Sequence, residues 1–253
     1  MALEHGRRRF PTTHWSVVLA AGEQVSPEAR SALSALCETY WSPVCAFVRQ
    51  TGRSSDDAHD LTQAFFARLL EKGDFRNARR DRGRFRTFLL TAVRHFLANQ
   101  ADHDLALKRG GGQIHVPLGP APGDDARGFV MDPASGETPE TIYEQRWALT
   151  VLDRAMARLK QECGQAGRGH LFDQLRPFLT GDAGASYEAC AHALEMTEAA
   201  VRVAVHCLRR QFGQCLRETL AETVNDPADV DSEIEYLLAV VARRHASSSL
   251  KRI

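Results

Sequence analysis

Apolar residues along this chain recur every three or four positions rather than every second one, and that spacing predicts helices throughout. Leu33, Leu36, Tyr40, Val44, Phe47 and Val48 form the first stripe, in a block running from Pro27 to Asn99; Pro43 sits inside it and is expected to kink or divide that helix. Thr51-Gly52-Arg53-Ser54-Ser55 ends it. Ser54 or Ser55 is placed to cap the next helix, whose first turn carries Asp56 and Asp57. There Ala58, Leu61, Phe65, Phe66, Leu69 and Leu70 make the apolar stripe, and Gly73 stops it. After a basic loop, Phe88, Leu89, Ala92, Val93, Phe96 and Leu97 predict a third helix.

From about Lys108 to Pro139 glycine and proline accumulate, at Gly110 to Gly112, Pro117, Gly119, Pro120, Pro122, Gly123, Pro133, Gly136 and Pro139. That density excludes a long helix or central strand and reads as a linker, with Ile114 to Val116 as at most one short extended piece. A second helical block runs from Thr141 to Thr223. Trp147, Val151, Leu152, Ala155 and Leu159 give one stripe, Gly164 to Gly169 break it, and Leu171, Leu175, Phe178 and Leu179 give another. Asp226-Pro227 then opens a short amphipathic helix bearing Val230, Ile234, Leu237, Leu238 and Val241, which is expected to dock on the second domain. The fold class is therefore all-α: an N-terminal helical bundle over 12–107, a linker over 108–140, a C-terminal helix-turn-helix domain over 141–224 and a helical extension over 225–253.

The net charge is zero, so the whole chain does not announce a nucleic-acid partner. The average hides a segregation. Between Phe75 and Arg109 stand Arg76, Arg79, Arg80, Arg82, Arg84, Arg86, Arg94, Lys108 and Arg109, opposed by Asp81, Asp102 and Asp104, while Glu218 to Glu235 is acidic. Local charge decides which face meets a polyanion. Cysteines 37, 45, 163, 190, 207 and 215 include no C-x-x-C pair and fall largely in apolar stripes, which predicts free thiols and a reducing compartment. Met1 to Arg9 lacks the apolar core of a secretory signal and no run is long enough to span a membrane, so a soluble cytoplasmic protein without membrane partners is expected. There is no H-E-x-x-H, no Cys/His metal spacing, and no strand, helix and Lys around Gly110 to Gly112 to make a phosphate loop; no catalytic residue, metal or cofactor is expected. Trp15, Trp41 and Trp147 read as core.

Two segments point to nucleic acid. In Ser186 to Leu216, a short helix over Tyr187 to Leu194, a turn at Glu195 to Thr197 and a longer helix capped by Thr197 have the offsets of a helix-turn-helix, with Ala191 at the crossing and Val201 as the inner anchor. Glu195 falls where the turn favours Gly and would carry a left-handed backbone at a cost of about 1 kcal/mol. Arg202, His206, Arg209 and Arg210 line the outer face of the second helix, suited to base edges and phosphates; the bland alternative is a helical hairpin with a solvated basic face. In Asp74 to Asn99, arginines interleave with Phe75, Phe85 and Phe88, a composition suited to unpaired DNA. Phe88 reads better as core, whereas Arg84 and Arg86 flank an apolar anchor with no obvious acidic partner.

D-D-A-H-D-L-T-Q-A-F-F-A-R-L-L (Asp56 to Leu70), G-R-F-R-T-F-L-L-T-A-V-R-H-F-L-A-N (Gly83 to Asn99) and S-Y-E-A-C-A-H-A-L-E-M-T-E-A-A-V-R-V-A-V-H-C-L-R-R (Ser186 to Arg210) resemble, in order, three elements of extracytoplasmic-function (ECF) sigma factors. These are the polymerase-binding helix, the promoter-melting loop with its reading helix, and the C-terminal helix-turn-helix. T-T-H-W-S-V-V (Thr12 to Val18) and F-D-Q-L-R-P-F-L (Phe172 to Leu179) are similar to a long-chain subgroup; the resemblance spans about Thr12 to Ala242. It implies a promoter-specific transcription initiation factor, not an enzyme, whose partners are core RNA polymerase and promoter DNA. It further implies that Asp57, Asp60, Leu61 and Gln63 dock on the clamp helices of the largest polymerase subunit. Arg84, Phe85 and Arg86 would take a flipped base of the −10 element, Arg94, His95 and Asn99 would face the promoter, Arg202, His206 and Arg209 would read the −35 element, and the linker would thread near the polymerase active centre.

The departures matter. His59 and Ala64 stand where the family commonly has acids, removing two charges expected to meet the clamp. Apolar docking through Leu61 and Phe65 could suffice; alternatively Thr62, Ser54 or Ser55 could be phosphorylated by a Ser/Thr kinase and restore the charge. An anti-sigma factor is a further expected partner. Two other readings stay open: a helix-turn-helix regulator that acts without polymerase, and a binding module that has lost polymerase affinity.

Overall fold

The computed structural model describes residues 27–72, 84–109, 137–181, 184 and 186–250. Within them the chain is helical, with no β-strand. In chain order the helices are α1 (Pro27–Gln50), α2 (Ser55–Lys72), α3 (Phe85–Arg109), α4 (Pro139–Gln165), α5 (Gly169–Leu175), α6 (Pro177–Thr180), α7 (Tyr187–Ala193), α8 (Glu198–Ala221) and α9 (Asp229–Leu250). Thr12 to Val18, the arginines and Phe75 of the loop before Arg84, Trp15 and the glycine-rich stretch with Ile114 to Val116 lie outside the described residues.

The described residues divide into two compact units, one made of those up to Thr150 together with those from Ala221 onward, the other of those from Val151 to Leu220. The division runs through the long helices α4 and α8, so the first turns of α4 and the whole of α9 belong with the N-terminal helices. This differs from the expected docking of the C-terminal helix on the second domain.

In the first unit, α1 continues unbroken past Pro43 rather than dividing there. Leu33, Leu36, Tyr40, Val44, Phe47 and Val48 are all buried along it. They meet Ala58, Phe65 and Phe66 of α2, Phe85, Phe88, Leu89 and Val93 of α3, and Tyr143 and Trp147 of α4 in a core that also takes in Val230, Leu237 and Val240 of α9. The indole N–H of Trp147 donates to the Tyr40 hydroxyl at 3.1 Å, so two large rings enter the core with their polar atoms satisfied. Burial, above all, raises the phenols of Tyr40 and Tyr143, which stay neutral. Ser54 is the N-cap of α2, accepting from the Asp57 N–H at 3.1 Å.

In the second unit, Val151, Ala155, Leu159, Phe172, Leu175, Phe178, Val201, Val205, Leu208 and Leu216 close the core. The stripe Leu171 to Leu179 is two short helices, because Pro177 starts a new one after Arg176 and Gly181, at φ 71°, ends it. Ser186 and Thr197 cap α7 and α8 through Ala189 N–H and Ala200 N–H. Between them Glu195 adopts φ 53°. The N–H groups of Glu195 and Met196 donate back to His192 and Ala191, a left-handed C-terminal cap built without glycine, as the sequence suggested.

All six cysteines are free; Cys37, Cys163, Cys190 and Cys215 are buried, Cys45 is half-buried and Cys207 is exposed. Burial pushes the Cys37 thiol up to about 12 and, reinforced by Glu162, that of Cys215 to about 11, so both stay protonated and inert near neutral pH. Among the described residues no helix is long and apolar enough to cross a membrane, and no cluster of His, Cys, Asp and Glu could hold a metal ion.

Candidate nucleic-acid interface

Helix α2 presents one polar face. Asp56, Asp57, Asp60 and Gln63 are exposed along it, Leu61 is half-buried beside them, and Ala58, Phe65, Phe66 and Leu69 are buried behind. His59 lies edge-on to the Trp41 ring, 5.3 Å between centroids, and Trp41 in turn stacks on Phe66. Thr62 belongs to the buried side: it has no exposed surface, and its hydroxyl donates to the Ala58 carbonyl at 2.6 Å. A kinase cannot reach a fully buried hydroxyl in this conformation. Ser54, by contrast, is exposed.

Helix α3 opens with the residues expected to grip unpaired DNA, and the structure places them differently. Phe85 has no exposed surface and packs edge-on against Tyr40, 4.9 Å between centroids. It is a core residue and offers no face to a base; Phe88, as expected, is buried too. The Phe85 N–H, an orphan donor of the first helical turn, is taken by the Thr223 carbonyl at 3.1 Å, and Arg84 pairs with Val224 as an isolated antiparallel bridge.

Arg84 and Arg86 have an acidic partner after all, from far along the chain. The Glu233 carboxylate of α9 is 1% exposed, and both guanidiniums converge on it. Arg86 donates through Nε to Oε1 at 2.5 Å and through Nη2 to Oε2 at 3.3 Å, while Arg84 Nε lies 3.2 Å from Oε2 and its Nη2 donates to Ser232 at 2.7 Å. The Arg86 guanidinium sits over the Tyr236 ring at 3.8 Å and the Trp147 ring at 5.2 Å, and its backbone carbonyl accepts from the Tyr143 hydroxyl. Burial alone would lower the Arg86 pKa, but the hydrogen bonds and charge of Glu233 outweigh it and hold it above its ordinary value. Farther along α3, Arg94, His95 and Asn99 are exposed on one side. Arg94 is bonded to Glu140 in the first turn of α4, and that bond pulls the Glu140 carboxyl below its ordinary range.

The outer face of α8 is different. Arg202, Val203, His206, Cys207 and Arg210 are exposed. Arg202 touches only neighbours of its own motif among the contacts seen, lying over the Tyr187 ring at 4.3 Å and 3.6 Å from Glu198 one turn back. Arg209 is used structurally: its Nη2 donates to the Phe178 carbonyl of α6 at 3.1 Å, though the residue remains exposed. Val203, 64% exposed, puts a branched apolar surface in the middle of the basic face, a feature the sequence reading passed over.

Set beside known families, residues 36–101, which take in most of α1, all of α2 and most of α3, match Sigma-70 region 2. Over that stretch the chain therefore carries a Sigma-70 region 2 domain, a module of sigma-70 family factors. No curated protein and no solved structure matches the chain.

Proposed function

We propose that this protein is a sigma factor of the ECF type, which binds core RNA polymerase through α2 and starts transcription at specific promoters, in the cytoplasm and without a cofactor. The observation that carries the reading is the region 2 match over 36–101, together with the exposed polar face of Asp57, Asp60 and Gln63 beside Leu61 within it. In this reading Arg94, His95 and Asn99 meet the −10 region. The α7–α8 pair is a helix-turn-helix whose Arg202, His206 and Arg210 enter a major groove at the −35 region, with Arg209 contributing from its flank. Val203 suits the methyl group of a thymine. The linker over 108–140 spans the two promoter-binding parts. A Ser/Thr kinase supplying charge to α2 would act at Ser54 or Ser55 rather than at Thr62, and an anti-sigma factor would compete for the same polymerase-facing surface.

Run-off transcription with purified core RNA polymerase over a promoter library tests this. Transcripts with a defined start that depend on the protein, and lose it on Asp60→Arg, are the expected result. Absence of transcripts together with failure to co-elute with core would replace the reading with a DNA-binding regulator that works without polymerase.

A further inference from the structure

A carboxylate at 1% exposure is unstable unless cations meet it. Glu233 is met by two, Arg84 just before α3 and Arg86 at its second position, at the start of the helix that the proposed function turns toward the −10 region. The same segment contributes the Ser232 hydroxyl to Arg84, the Tyr236 ring to Arg86 and the Thr223 carbonyl to the α3 N-terminus. Phosphate would offer these guanidiniums the same geometry that the carboxylate now offers, two oxygens in the plane of the fork. A phosphate that used the same Nε–Nη2 edge of Arg86 would have to displace Glu233, which is part of the same chain.

We propose that the segment from Thr223 through α9 is an intramolecular competitor of DNA, with Glu233 occupying the phosphate position at Arg84 and Arg86. The inference rests on the sigma reading for its biological sense, but the competition itself concerns single-stranded DNA and can be measured without polymerase. Val230, Leu237 and Val240 seat α9 in the core of the first unit, so the covered state is the resting one. One carboxylate faces two guanidiniums and leaves one positive charge, so a second acid at Ser232 strengthens the cover while its removal at Glu233 weakens it. Ser232 lies in the first turns of α9, where an acid also suits the helix dipole.

The experiment measures binding of the full-length protein to a fluorescent mixed-sequence single-stranded oligonucleotide across a salt series. Glu233→Gln is expected to tighten binding at least about fivefold and to steepen the log–log salt dependence by about 1.4, the release expected for two added phosphate contacts at about 0.7 each. Adding Arg84→Ala and Arg86→Ala to that variant returns both to parental values. Ser232→Glu weakens binding with unchanged helicity. Equal affinity and slope for Glu233→Gln at native helicity overturns the proposal. Should that variant lose helicity, Ser232→Glu decides: weaker binding sustains the competitor, unchanged binding removes it. Co-elution with core polymerase is read on the same proteins, so that a parent that fails to bind core defeats the sigma reading while the oligonucleotide series still judges the cover.

Discussion

Two helices in this molecule carry the basic residues suited to DNA, and they are kept in opposite conditions. At the start of α3 and along it the arginines are held by carboxylates from elsewhere: Arg84 and Arg86 by Glu233, Arg94 by Glu140. On α8 the basic face looks outward, and among the described residues the acid that approaches Arg202 is Glu198 on the same helix. The contrast teaches that basic composition alone does not make a binding surface. Its availability depends on where the compensating acids lie, and a buried acid competes far more strongly than an exposed one.

The sharpest way to break the comparison is to delete the buried acid. Glu233→Ala leaves two guanidiniums without their counter-charge and is expected to destabilise the first unit by about 3–5 kcal/mol. Urea unfolding followed by tryptophan fluorescence reads this directly, since Trp41 and Trp147 both lie in that unit. A change under about 1 kcal/mol would mean that the pair is incidental.

On the open side, Arg210→Ala should leave stability within about 0.5 kcal/mol and lower the salt slope for duplex DNA by about 0.9, the loss of one phosphate contact. Iodoacetamide labelling of the exposed Cys207, slowed by duplex DNA, would place the same face at the contact. Labelling indifferent to DNA would argue against it.

Glu195→Gly relieves the left-handed residue between α7 and α8 and should stabilise the second unit by up to about 1 kcal/mol in a thermal melt. An unchanged or lower Tm would show that the Glu195 side chain compensates for its backbone.

The smallest effect is electrostatic. Glu140 has its pKa lowered by Arg94, so the pair stabilises the fold above the ordinary carboxylate range, and that contribution fades as pH falls through the lowered value. Because both groups are partly exposed, Glu140→Gln should cost about 0.5 kcal/mol or less at pH 7 and nothing at pH 2. A cost that persists at pH 2 would assign the effect to packing.

The sequence made the local features legible because their causes are local. Ser54 and Thr197 as caps, the strained Glu195, Phe88 in the core and six free thiols all follow from residues within a turn or two. Thr62 could also have been placed, since it stands four positions after Ala58 and three before Phe65 on the buried stripe. What escaped was the pairing across 147 positions between Arg86 and Glu233. In the sequence Leu238 looked like part of the inner face of α9, yet it is 57% exposed while Glu233 is buried. A charged residue three positions after Val230 and four before Leu237 breaks an apolar stripe unless a cation waits opposite, and no local pattern names that cation. The burial of Phe85 is illegible locally for the same reason, because the α1 ring and the piece at Thr223 that enclose it come from distant parts of the chain.

The hydrogen bond from Phe85 to Thr223 carries a consequence for the order of assembly on the ribosome. The N-terminal helices emerge first, but the residues that complete their core and cap α3 are near the other end of the chain. After Arg109 is made, roughly 130 further residues must follow before Val240 can take its seat, which occupies on the order of 10 s at ordinary rates of synthesis. Until then the nascent domain waits with its arginines uncovered, and a ribosome that stalls early releases a fragment that lacks its own lock.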